Sequence, residues 1–268
     1  MPCQRWNSGR HSWRHLREGG FDRRRYQVTE LAEADAKAFC AAHHYAGASY
    51  PAALRRYGLV DRADGRLVGA AVIGAPVSSK VLTRPLPTLE PYRESVELSR
   101  FVLLDECPAN TESWMLTRTF EDLRAHGIRG VVSFADPVPR WTAAGVLIKP
   151  GHFGIIYQAC GADFTGRATA RSLVMLPDGT VLNARAAQKV RSQEQGHQYV
   201  ESRLEALGAR GRRPEEDPAA WLREAIAAVG AGRVQHPGAY RYVFRLDRPR
   251  DRVPLGLPPR EYPKPVHS

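Results

Sequence analysis

Two apolar segments carry polar side chains able to do chemistry. Val96-Glu97-Leu98-Ser99-Arg100-Phe101-Val102-Leu103-Leu104 carries Ser99 and Arg100, and Gly130-Val131-Val132-Ser133-Phe134-Ala135-Asp136-Pro137 carries Ser133 and Asp136. A carboxylate at the end of a buried strand can accept a proton or orient a substrate edge; Asp136-Pro137 is equally a common start of a turn. A central strand rarely turns an arginine inward without a partner, so Arg100 is expected to pair with Asp136 or to bind a substrate carboxylate or phosphate. Strict alternation would send Ser99 and Arg100 to opposite faces, with Ser133 a further hydroxyl donor. His43, His44, Tyr45 and His152 are the side chains most like metal ligands. Adjacent helical residues diverge by about 100°, so at most one of His43 and His44 would join Tyr45 in a site. The spacing by itself does not demand a metal.

These residues need a frame. Residues 96–104 begin with period-two alternation and end in a continuous apolar run, as expected of a strand entering a sheet interior. Asn110 or Thr111 can cap a helix that Gly127 closes, and residues 130–134 read as a short buried strand. Strand, helix and strand joined this tightly form a parallel crossover, and open α/β sheets bind ligands at the carboxyl ends of such strands.

Upstream, Arg25 to Val28 can start a strand, Thr29 to His43 reads as a helix, and Ala63-Asp64-Gly65-Arg66 turns a hairpin between 56–60 and 67–73. Residues 76–92 hold four prolines with Lys80 and Arg84, which predicts a long basic loop beside the ligand face. Downstream, 164–176 alternates as a final strand and Asn183 to Leu207 reads as one helix. Asp217-Pro218 starts another helix, and Tyr240 to Leu246 forms a strand able to pair with the sheet's edge. The tail from Pro249 cannot enter a sheet interior.

The 268 residues carry 39 Lys and Arg against 28 acids, a formal charge of +11. Such an excess favours a polyanion, and nucleic acid is the leading partner class. A genome rich in arginine codons would contribute to the same bias. Residues 1–25 hold seven arginines interleaved with Trp6, His11, Trp13 and His15: either an arm along a phosphate backbone or a disordered leader. Arg23, Arg24, Arg25, Lys80, Arg84, Lys189 and Arg191 are the expected DNA contacts. No run approaches the roughly 18 apolar residues of a membrane span, and no signal-peptide core opens the chain. A cytoplasmic protein is expected. Cys3, Cys40, Cys107 and Cys160 are too scattered for a zinc or redox motif and read as reduced thiols.

The strand, helix, strand unit followed by Ile156-Tyr157-Gln158-Ala159-Cys160-Gly161-Ala162-Asp163-Phe164 resembles the GNAT acyltransferase superfamily. More narrowly, Glu97-Leu98-Ser99-Arg100, Ser133 to Pro137 and His152 to Gly161 resemble the Mom-type DNA modification proteins of bacteriophages. The resemblance implies an α/β (α+β) fold with a mixed, mostly antiparallel twisted sheet flanked by helices. It implies a basic arm at 1–24, a catalytic domain at 25–177 and a family-specific extension at 178–268. It also implies transfer of an acetamido group to the exocyclic amine of adenine in double-stranded DNA, protecting phage or prophage DNA from restriction. On that reading Asp136, Tyr157, Arg100 and Ser133 are catalytic. Asp136 accepts the amine's proton or orients the base edge, and Tyr157 protonates a leaving group. His44, Tyr45, Ser99, His152 and Ser113 line the substrate site.

Iron is implied as a compatible metal for His43, His44, Tyr45 and His152. The donor is unidentified, and acyl-CoA is disfavoured: the place of the glycine-rich pyrophosphate loop is taken by Asp105-Glu106-Cys107-Pro108-Ala109-Asn110-Thr111-Glu112-Ser113, which has no glycine, one proline and three acids. The amides around Ser113 could still hold a smaller anion. The competing functions are an N-acyltransferase acting on an amine of a small molecule, protein or charged RNA, and a non-catalytic nucleic-acid-binding protein.

Overall fold

The computed structural model describes residues 3–7, 10–47 and 49–264; the side chains of Cys3, Asn7, Arg10 and His11 and residues 265–268 of the Pro-rich tail lie outside the described residues. In chain order the elements are β1 (Cys3–Asn7), β2 (Arg10–Arg14), β3 (Tyr26–Glu30), α1 (Glu33–His43), β4 (Ala53–Asp61), β5 (Leu67–Gly74), α2 (Lys80–Thr83), β6 (Ser95–Leu103), α3 (Thr111–Ala125) and β7 (Gly130–Ala135). Then follow β8 (Arg140–Trp141), β9 (Leu147–Lys149), α4 (Ile155–Ala159), β10 (Asp163–Arg167), β11 (Arg171–Met175), β12 (Val181–Leu182), α5 (Ala184–Arg191), α6 (His197–Ala206), α7 (Pro218–Ala228), β13 (Gly232–His236) and β14 (Tyr240–Arg245). Two compact units result: residues 1–137, 150–168 and 239–268 form the first, and 138–149 with 169–238 the second. The boundaries expected at 24/25 and 177/178 do not coincide with these breaks.

The first unit is built on a sheet in the order β10-β14-β7-β6-β5-β4-β3. Its neighbours are antiparallel except β6 and β7, which run parallel through the α3 crossover. The class is therefore the mixed, mostly antiparallel α/β arrangement expected. Tyr57, Leu59, Ile73, Leu98 and Val131 face α3 on one side, and Val72 and Val102 pack with Phe39 and Cys40 of α1 on the other. Three segments depart from the sequence reading. β14 is inserted between β10 and β7 rather than added at an edge, because both its faces are apolar: Tyr242 and Phe244 join one cluster and Val243 another. Its Arg245 is neutralised by a forked contact to Asp163 at 2.9 and 3.2 Å. Residues 76–92 are no simple loop, since α2 and the buried Leu82, Leu86 and Leu89 anchor them on Val132 and Val243. β3 runs to Glu30, so α1 begins at Glu33 and not at Thr29.

The second unit contains the sheet β12-β11-β13, the β8–β9 ladder and three helices around Trp221, Leu222, Leu204 and Val190. The strand expected over 164–176 is two, β10 and β11, which belong to different sheets. The helix expected over 183–207 breaks at Gln193 and Gly196, both at positive φ (48° and 84°), into α5 and α6. The Asp217 cap holds as read, its carboxylate accepting the Ala220 N–H at 2.9 Å behind Pro218.

Neither an extended arm nor a disordered leader describes the N-terminus: β1 and β2 form a hairpin that carries Arg5 into the interior. The Arg5 side chain is 3% exposed and that of Glu112, in the first turn of α3, 6%. Nε donates to Glu112 at 2.7 Å, and the terminal nitrogens donate to the carbonyls of Leu104 (2.8 Å), Asp105 (3.3 Å), Cys107 (2.5 Å) and Pro108 (3.3 Å). Removing one member of such a pair strands a buried charge. Arg5→Met is therefore expected to cost about 3–5 kcal/mol of unfolding free energy, read from a denaturant transition. Arg5→Met with Glu112→Leu recovers part of the loss, because the four carbonyls stay unsatisfied; a loss below about 1 kcal/mol in the single variant would contradict the pairing.

Candidate active site

The site begins at an irregularity in β6. Arg100 stands opposite Val72 while Leu98 stands opposite Ile73, so one extra residue, Ser99, is bulged out of the ladder. The bulge cancels the alternation expected across 99 and 100. Leu98 joins the core on the α3 side, whereas Arg100 lies beside Val72 and Val102 on the α1 side, near Cys40 and His44. The Ser99 hydroxyl points to the same side: it bonds the Glu97 carboxyl and fills the space that a Cβ on Gly74 would need. Glu97, Ser99 and Arg100 thus share one face. Burial raises the Glu97 pKa, opposed by the Ser99 hydroxyl and the Arg100 charge. Arg100 does not pair with Asp136; its guanidinium donates to the carbonyls of Ser99 (2.7 Å) and Ser49 (2.8 Å).

β6 and β7 pair only as far as Leu98 and Ser133, and beyond that point they part. A cleft of about 800 Å³, its open mouth included, lies against the free end of β6. Phe101, Tyr45, His152, Tyr157 and Trp6 give it aromatic walls, with His44 beside them. α4 is fixed for this purpose: Gly154 caps it at φ 70° where a Cβ would strike the Tyr242 ring at 2.5 Å, and Gln158 bonds both the Phe153 carbonyl and the Tyr242 hydroxyl. Tyr157 consequently aims at the parting of the strands, its hydroxyl in hydrogen-bond contact with Ser133, whose own hydroxyl donates to the Leu98 carbonyl at 3.2 Å. Burial above all, then the neighbouring Tyr45 and Glu97, raises the Tyr157 pKa, so the phenol stays protonated. The His152 N–H donates to the Asp136 carbonyl at 2.9 Å, which ties the returning chain to the end of β7.

His44 is held neutral. Burial first, then the positive charge of Arg100 and the imidazole of His152, lowers its pKa to about 3. Its Nδ1 accepts the Ala46 N–H at 3.0 Å, so the ring proton sits on Nε2 and His44 can only donate. The rings of His44 and Tyr45 lie 4.2 Å apart and those of Tyr45 and His152 6.2 Å. His43 is parted from this group and packs on Phe39 at 4.7 Å. Among the described residues no three His, Cys, Asp or Glu side chains converge, and of the set expected for iron His44, Tyr45 and His152 stand together.

The corner at the start of α3 differs in kind from an anion site. Its loop turns carbonyls, not N–H groups, inward, and they close on the Arg5 guanidinium together with Glu112. Ser113 does not enter the cleft: its hydroxyl bonds the Asn110 carbonyl at 3.1 Å, and it lines a separate shallow hollow between α3 and α4. Of the residues expected on DNA, Arg25 is engaged by Asp61 at 2.6 and 2.8 Å, and Arg24 contacts Asp22. Arg23 and Arg24 border an open depression on the α3 side with Arg55, Arg62 and Arg118. Lys80 and Arg84 belong to the α2 segment, and Lys189 and Arg191 to α5 of the second unit.

Glu97, Phe101 and the hairpin residues Gln4 and Arg5 escaped the sequence reading, and Trp6 was read only as part of a nucleic-acid-binding arm. Glu97 had a signal, since it lies two residues before Ser99 in the same strand. Gln4 and Arg5 had none, because a strand of five residues pairing only with its neighbour leaves little periodicity.

Similar solved structures include a GNAT family N-acetyltransferase from Escherichia coli in complex with CoA, 10% identical, covering 83% of this chain and 82% of that one at a TM-score of 0.36. A tandem GNAT protein from the clavulanic acid biosynthesis pathway is 10% identical, with 83% and 99% covered and a TM-score of 0.41. A ribosomal-protein-S5-alanine acetyltransferase from Vibrio fischeri is 10% identical, with 56% and 85% covered and a TM-score of 0.36. No curated protein sequence matches. The model of the Mom protein family matches residues 25–264, beginning just after the hairpin that carries Arg5, and on that match the chain belongs to the Mom protein family.

Proposed function

We propose that this protein transfers an acetamido group to the exocyclic amine of adenine in DNA. The observation that carries the reading is the aromatic cleft at the parting of β6 and β7, whose walls suit a planar, neutral base extruded from the duplex. Family membership supports the transferase class, and the charge of +11 supports a polyanionic substrate. A modified adenine edge loses the donor pattern that restriction nucleases read, which would protect the DNA of a phage or prophage.

In this reading a carbon–nitrogen bond forms between the amine and the donor carbon while the bond from that carbon to its leaving group breaks. The adenine amine is a weak nucleophile and must lose a proton, which goes to a carboxylate. Asp136, at the end of β7, has that role, and Glu97, whose raised pKa makes it a better acceptor than a surface carboxylate, is the second candidate. Tyr157, kept protonated, gives a proton to the leaving group. His44 donates from Nε2 to a substrate acceptor, and Ser133 orients Tyr157. The donor is not an acyl-CoA anchored in the usual way, because the corner that would hold its pyrophosphate presents carbonyls and a carboxylate already bound to Arg5.

Two measurements test this. Expression in a bacterial host followed by mass spectrometry of DNA nucleosides is expected to show adenosine with an acetamido increment. Asp136→Asn or Glu97→Gln, whichever removes the base, lowers the yield about 10²–10⁴-fold, and Tyr157→Phe lowers it as well. Unmodified DNA from folded, soluble protein would sink the proposal. Separately, CoA and acetyl-CoA are expected to leave the thermal midpoint unchanged. A ligand at a hundred times its Kd would add about 2.7 kcal/mol, so a clear rise would restore an acyl-CoA donor and with it the N-acyltransferase alternative.

A further inference from the structure

Arg241 is an arginine in need of a counter-charge. It stands on β14 opposite Phe134 of β7, on the face that Val243 and Val132 share under the α2 segment. Val132 is in turn the neighbour of Glu97, so Arg241 lies on the same face of the sheet as Glu97, Ser99 and Arg100. Two strand spacings, about 10 Å, separate β14 from β6, and Phe134 is the first residue of β7 beyond the point where β6 and β7 part.

The electrostatics there are unbalanced. Arg241 is half-buried, and its guanidinium makes one long hydrogen bond, to the Arg167 carbonyl at 3.4 Å. Its charge is disfavoured first by burial and then by the like charge of Arg84, brought near by α2. Among the described residues no carboxylate pairs with either arginine, although the same sheet pairs Arg245 with Asp163 and Arg25 with Asp61. Placing two guanidiniums together without an acid costs stability unless an anion joins them, and the fork of each suits phosphate oxygens.

We propose that Arg84 and Arg241 form a phosphate clamp on the active-site face, gripping the DNA backbone beside the nucleotide whose base enters the cleft. The proposal rests on the DNA-adenine reading for the identity of the polyanion. Arg84, exposed just past the end of α2, reaches the phosphate from solvent, and Arg241 holds it from the sheet. The clamp contributes affinity and register, and carries no sequence information.

The test compares wild type, R84Q, R241Q and the double variant, with R93Q as a control for net charge, in the turn before β6 at the other end of that strand from the cleft. Binding of a fluorescent, adenine-containing DNA duplex is titrated over a range of salt. Each clamp variant is expected to weaken binding several-fold at low salt and to reduce the slope of log K against log salt by about 0.9 for each phosphate it no longer neutralises, while R93Q leaves the slope near wild type. An unchanged slope in the double variant, or an equal drop in R93Q, overturns the clamp. Because Arg84 is exposed, R84Q keeps the test valid should R241Q fail to fold. Nucleoside mass spectrometry on the same proteins separates the two proposals. Modified adenine with an intact salt slope in the double variant removes the clamp alone; unmodified adenine from wild type removes the adenine reading and leaves the slope to decide the clamp.

Discussion

Hydrogen bonding between β6 and β7 stops at Leu98 and Ser133, and the site depends on that interruption. Parallel strands that kept pairing would close the sheet and leave no cleft. Once they part, the backbone groups at the end of β6 need other partners, because a buried N–H or C=O left alone costs a hydrogen bond. On the other side of β6 the ladder to β5 runs on to the Leu104 N–H, which bonds the Val68 carbonyl at 2.8 Å, while the Leu104 carbonyl accepts from Arg5. The bulge at Ser99, just past the last paired residue, turns Glu97, Ser99 and Arg100 to one face. A parting on the β7 side of β6 thus opens the cleft, and a bulge on its β5 side turns three polar residues to one face.

The site is electrostatically sorted by burial. His44 is neutral and a donor, Tyr157 is protonated, and Glu97 has a raised pKa tempered by Arg100. Low local polarity disfavours each charged form, so groups that would be charged or solvated at the surface keep their protons or lack them according to their neighbours. Apolar and aromatic walls do double duty here, giving a base a surface to stack on and setting the protonation states around it.

The corner at the start of α3 shows how a helix N-terminus can be turned to the opposite purpose. A free helix start favours anions. Here Glu112 in the first turn supplies the anion from within, four carbonyls add to it, and the composite attracts the chain's own guanidinium. The absence of glycine from residues 105–113 is the sequence trace of this inversion; its occupant is visible only in the fold.

Local signals were legible in the sequence because their causes are local. The strand, helix and strand around 95–135, the Gly65 turn and the Asp217-Pro218 start depend on periodicity, caps and turn residues that lie next to one another. Tyr45, His152 and Tyr157, which line the cleft, could be singled out for the same reason, as side chains in or beside readable elements. Tertiary structure alone decided the rest. The pairing of Arg5 with Glu112 spans 107 residues, β14 enters the sheet from beyond a separate unit, and the bulge at Ser99 depends on Gly74 making room in the neighbouring strand. Alternation assigned Ser99 and Arg100 to opposite faces, and one extra residue in the ladder reversed that assignment. Periodicity records what a residue prefers along the chain, whereas register and charge pairing depend on which distant segment lies alongside.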